Sequence, residues 1–134
     1  NSIMQIKNIK IKDRQPVILF ADDDKVCLHV SARILQKLGC TVLEARDGKE
    51  AIEVYKNNQD RVDLVILDMV MPHNGGHSFE KLKKINPDLK IILISGYTKD
   101  YAISDLAKHG YVSFLQKPFD AKALSQKIMD TLNN

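Results

Sequence analysis

Val17-Ile18-Leu19-Phe20-Ala21-Asp22-Asp23-Asp24 is a run of five apolar residues ended by three carboxylates, and the apolar period changes immediately after it. A short continuous apolar run bounded by acids suits a strand buried on both faces. Beyond it Val26, Val30, Ile34 and Leu38 recur every four residues, with Cys27, Ser31 and Leu35 beside them and Gly39 next. That spacing predicts a helix with Asp24 as N-cap and Gly39 as its stop.

The same alternation continues along the chain. Thr41 to Ala45 reads as a second strand, and Asp47 with Glu50 resembles a capping box opening a helix through Ala51, Val54 and Tyr55. Asp63 to Asp68 is the third strand, and Pro72 with Gly75-Gly76 marks a loop after it. Phe79, Leu82 and Ile85 carry a third helix that ends before Pro87. Leu89 to Ser95 is the fourth strand. Tyr101, Leu106 and Ala107 carry a weaker fourth helix closed by Gly110. Tyr111 to Leu115 is the fifth strand, and Asp120 caps a fifth helix through Leu124, Ile128 and Leu132. Strand–helix pairs return the chain to start each strand in the same direction, so the fold class is α/β, a three-layer doubly wound domain around a five-stranded parallel sheet. Residues 1–15 stand apart, because Ile3, Ile6, Ile9 and Ile11 fit neither period. They read as a linker or N-terminal extension ahead of a domain over residues 16–134.

The formal net charge of the 134 residues is +3, from 20 Lys and Arg against 17 Asp and Glu. Lys7, Lys10, Lys12 and Arg14 against Asp13 place that whole excess in the first 16 residues, so the globular part is neutral and gives no argument for nucleic-acid binding. No apolar run approaches the roughly 18 residues of a membrane span, and no signal-peptide core opens the chain. Cys27 and Cys40 are too few for a disulfide framework and lie at no metal-site spacing; they read as small core residues, and a reducing cytoplasm is the expected location.

In an open α/β sheet, ligands bind outside the carboxyl ends of the strands. Here those ends carry Asp22, Asp23 and Asp24, then Asp68, then Ser95-Gly96, then Lys117. Two carboxylates about 4 Å apart repel by roughly 4 kcal/mol at an effective dielectric of 20, so such a cluster requires a cation. Oxygen-only donors favour Mg²⁺ over zinc. Helix capping accounts for Asp24 but not for Asp68, which Met69 to Pro72 separate from the next helix.

These residues resemble the receiver domain of two-component response regulators. The likeness rests on Ile18 to Asp24, Leu64 to Asp68 with Met71-Pro72, Ile91 to Gly96, and Gln116-Lys117-Pro118-Phe119, in the same order and spacing. The resemblance implies a flavodoxin-like sheet in strand order 2-1-3-4-5. It implies that Asp68 is the phosphoacceptor for a histidine kinase or a histidine phosphotransfer protein. It further implies Mg²⁺ held by Asp22, Asp23, Asp68 and the backbone carbonyl of Val70, with Lys117 and Ser95 on the phosphoryl oxygens. Gly96 stands where the family usually has alanine. Phe114 takes the place of the family's switching aromatic, more often tyrosine, and Lys117-Pro118 the place of a frequent cis peptide.

Val70 and Tyr97 occupy the positions that tune phosphate lifetime, and neither side chain orients an attacking water well. The implied output is a change at the surface of the fourth helix, fifth strand and fifth helix, a face that is also the candidate surface for a homodimer. No enzymatic activity is implied beyond phosphorylation and dephosphorylation at Asp68. The Ser95-Gly96-Tyr97-Thr98 run is similar to receivers of hybrid sensor kinases. Two rivals remain at this stage. One is a haloacid-dehalogenase-type phosphatase with Asp22 as nucleophile, since Asp22-Asp23-Asp24-Lys25-Val26 fits that family's Asp-x-Asp pattern. The other is a receiver-like module that signals without phosphorylation.

Overall fold

The computed structural model describes residues 9–11, 14–69, 75–96 and 113–133. Five strands, β1 (Val17–Ala21), β2 (Thr41–Ala45), β3 (Leu64–Asp68), β4 (Ile91–Ser95) and β5 (Ser113–Gln116), form one sheet in the order β2-β1-β3-β4-β5. Every neighbouring pair is parallel. Helices α1 (Lys25–Lys37), α2 (Gly48–Asn57), α3 (Gly75–Ile85) and a C-terminal helix (Ala121–Leu132) cover the faces. The expected fourth helix and Tyr111 lie outside the described residues.

Strand side chains alternate between two cores, as the two-residue period requires. Ile18, Phe20, Leu64, Ile66, Ile92, Ile94 and Leu115 pack with Leu28 and Leu35 of α1 and with Leu124 and Ile128 of the C-terminal helix. Leu19, Ala21, Val65, Leu67, Ile91 and Leu93 pack on the other face with Ala51 and Tyr55 of α2 and with Phe79 and Leu82 of α3. β3 and β4 are buried along their whole length.

The helix boundaries follow their capping residues. Asp24 accepts the N–H groups of Val26 (3.0 Å) and Cys27 (3.2 Å), and Asp120 accepts that of Ala123 (2.8 Å). Asp47 accepts the N–H of Glu50 at 2.8 Å; Glu50 reaches back to the N–H of Arg46, one residue before the cap rather than the cap itself. α1 ends in a Schellman motif, with Gly39 N–H on Gln36 O (3.1 Å) and Cys40 N–H on Leu35 O (2.9 Å). Gly39 adopts φ 93° there, a conformation that a Cβ disfavours.

Two expectations are corrected. Gly75 and Gly76, read as loop, open α3; glycine is costly mainly in helix interiors, and the first turn has few intrahelical bonds to lose. Asp63 lies just before β3 because its carboxylate is engaged elsewhere, accepting Val17 N–H at 2.8 Å and the Arg14 guanidinium. Ahead of residue 16, Ile9 and Arg14 contact the domain. Ile9 is only 2% exposed within the core under α1, since its side chain leaves water and its N–H satisfies Leu38 O at 2.8 Å.

Gly39→Ala should destabilise the domain by about 1–2 kcal/mol, the cost of a left-handed alanine, in urea unfolding. Unchanged stability would remove the C-cap from the account of why α1 stops.

Candidate functional site

β1 delivers Asp22 at its carboxyl end, β3 ends in Asp68, β4 ends in Ser95, and β5 leads into Lys117. The register draws these ends together. Asp68 pairs with Ile94 across β3 and β4, and Ser95 with Gln116 across β4 and β5. Main-chain bonds extend the ladder one step, from Met69 N–H to Ile94 O at 2.9 Å and from Lys117 N–H to Ser95 O at 3.0 Å. The Lys117-Pro118 peptide is cis.

The Lys117 ammonium donates to Asp22 Oδ2 at 2.9 Å and to Asp68 Oδ2 at 3.0 Å. Asp22 is fully buried, and its Oδ1 accepts the N–H of Asp24 at 2.9 Å. Asp68 is 4% exposed, while Asp23 is exposed at the mouth of the site. Carboxylate oxygens of Asp22, Asp23 and Asp68 lie within 4.8 Å of one another. Three carboxylates face a single ammonium, so an excess of negative charge remains. An oxygen-only donor set with one open side fits a hard divalent cation such as Mg²⁺.

Ser95 is buried at the end of β4. Pleat alternation puts it on the same face as Leu93, which pairs with Phe114. Phe114 is half-buried against the core under α2 and α3. A Cβ built on Gly96 would meet nothing within 4 Å, so space is open beside Ser95. Val70 and Tyr97 lie outside the described residues. Cys27 departs from its reading as an ordinary core residue: its thiol is half-buried, 3.9 Å from the Ser31 hydroxyl, and near enough to Asp22 to feel its charge. Its position one turn into a helix that starts beside the acids was the available signal.

A family model described as the response regulator receiver domain matches residues 18–129. The chain belongs to the response-regulator receiver family. Over 87% of its length this receiver is 38% identical to the sensor kinase CckA of Brucella abortus, of which it spans 12%, and 35% identical to the DNA-binding transcriptional regulator NtrC of Azospirillum brasilense, of which it spans 24%. Among solved structures it is similar to the CheX-CheY-BeF3-Mg complex of Borrelia burgdorferi, with TM-score 0.81 and 27% identity over 87% of this chain and 89% of that one. The receiver domain of the hybrid histidine kinase CckA gives TM-score 0.73 and 33% identity over 87% and 98%.

The electrostatics of the receiver site follow from its contacts. Burial pushes the Asp22 carboxyl up, but the nearby Cys27 thiol and the hydrogen bonds from the Asp24 N–H and Lys117 outweigh it and hold the group below the usual carboxylate value. Burial acts to lower Lys117, and the two carboxylates outweigh it, so the ammonium stays charged well above its ordinary range. Burial, then the Asp22 carboxylate, pushes the Cys27 thiol up to about 11. For linkage, a depressed Asp22 contributes stability above its unfolded value near pH 4 that is lost as pH falls through the folded value. A raised Lys117 contributes stability below about pH 10 that is lost only as pH rises through its folded value.

Lys117→Met, which strands two buried carboxylates, should therefore cost about 3 kcal/mol at pH 7 in metal-free protein. The deficit should shrink towards pH 3.5 as the acids protonate. Urea unfolding at both pH values checks this, and a deficit independent of pH would show that the ion pair is not its origin.

Proposed function

We propose that this receiver takes a phosphoryl group onto Asp68 from a phosphohistidine of a histidine kinase or histidine phosphotransfer protein. The observation that carries the reading is the Lys117 ammonium bonded at once to Asp22 and Asp68 within a cluster of three carboxylates. An Asp68 oxygen attacks phosphorus, the phosphorus–nitrogen bond breaks, and the imidazole leaves. Asp22, Asp23, Asp68 and the Val70 carbonyl hold Mg²⁺, which when bound neutralises the charge developing on the transferred group. Lys117 exchanges its bond to Asp68 for one to a phosphoryl oxygen.

Ser95 donates its hydroxyl to another oxygen, and Phe114, on the same face, repacks as Ser95 moves. Lacking a phenol, Phe114 switches by packing alone. The output is read at β5, the C-terminal helix and the segment between β4 and β5, a surface available to a target or to a second copy. Val70 and Tyr97 make the acyl phosphate long-lived. The relatives' proportions fit a receiver carried in a longer signalling protein such as a hybrid sensor kinase, working in the cytoplasm. Among the described residues no helix is long and apolar enough to cross a membrane.

A phosphatase with Asp22 as nucleophile is not favoured. It leaves Asp68 without a task, and Asp22 is fully buried with both oxygens engaged. A small phosphodonor with Mg²⁺ should label the wild type, and Asp68→Asn should abolish the label. Label lost only in Asp22→Asn, with turnover of phosphomonoesters, would instead establish the phosphatase; no label on any form would favour a module that signals without phosphorylation. Val70→Asn with Tyr97→Glu should speed decay of the label by about tenfold or more. An unchanged decay would remove both positions from control of its lifetime.

A further inference from the structure

Residues 9–16 lie before the stretch that the family match covers, yet they are bonded to the domain at several separate places. Ile9 is buried in one core with Leu35, Leu38 and Cys40, and its N–H donates to Leu38 O at 2.8 Å, at the carbonyl end of α1. Ile11 and Arg14 exchange backbone hydrogen bonds in both directions, each 2.9 Å. Arg14 donates to both oxygens of Asp63, at 2.9 and 2.5 Å, and Asp63 Oδ2 also accepts Val17 N–H at 2.8 Å. Pro16 O accepts Thr41 N–H at 2.9 Å.

An exposed ion pair alone would leave this segment a loose tail, because surface pairs scarcely offset the entropy of ordering a chain. A buried isoleucine, a two-pronged guanidinium–carboxylate contact and main-chain bonds to α1 and β2 act together and independently of one another. All of them lie at the amino ends of β1, β2 and β3, whereas Asp22, Asp68 and Lys117 lie at the carboxyl ends.

We infer that residues 9–11 and 14–16 form a docked strap that holds the chain ahead of β1 to the end of the sheet remote from Asp68. The inference stands apart from the proposed phosphotransfer. Ile9 sits beside the carboxyl end of α1, at the end of the domain opposite the acid rim, so the strap leaves that rim open to a donor. The strap also gives Arg14 a specific partner, so one of the basic residues that make up the chain's positive excess is matched inside the domain.

Amide hydrogen exchange on the 134-residue protein tests this directly. The Ile9 and Arg14 amides should exchange at least ~100-fold slower than in a free peptide of residues 1–16. Ile9→Ser should lower the melting temperature by roughly 5 °C and Arg14→Ala by a smaller amount, and each should speed exchange at Ile9. Labelling of Asp68 by a small phosphodonor with Mg²⁺ should stay within twofold of wild type in both. Free-peptide exchange at Ile9 and Arg14, or melting temperatures unchanged in both variants, would overturn the strap. Protected amides in a wild type that takes no label would keep the strap and count only against the proposed function.

Discussion

The bond of one ammonium to two carboxylates from different strands is the constraint around which the rest of the receiver is arranged. Lys117 follows β5, Asp22 follows β1 and Asp68 ends β3, so a single side chain ties together strands at the centre and at one edge of the sheet. Acids buried this deeply would repel one another if left alone. Their proximity is sustained by the parallel register, which brings all the carboxyl ends to one rim, and by Lys117, which cancels part of the charge. What remains uncancelled is an excess of negative charge that suits a cation.

The fold was legible because the informative signals are local and periodic. Asp24, Asp47 and Asp120 each stand where an apolar helical stripe begins, and each caps a helix through its own side chain. Asp68 stood out as a candidate for the opposite reason, since it ends an apolar strand with no helix directly after it to cap. Lys117 could be chosen among the lysines only through its place in the set.

What escaped the sequence is non-local. Nothing in the local sequence marks Ile9 as a core residue, because its burial depends on Leu38 lying beside it after α1 has turned back. Asp63 looked like a strand residue, since the residue that holds its carboxylate is Arg14, 49 positions earlier. Cys27 was read by its hydrophobicity alone, although the Asp22 carboxylate adds to burial in pushing its thiol up.

The alternation of side chains along the strands makes the sheet a partition as well as a platform. Ile9 and α1 belong to one core, Leu93 and Phe114 to the other, and the buried backbones of β3 and β4 run between them. The sheet thus separates the layer that receives Ile9 from the layer that receives Phe114, and each layer is packed by its own helices.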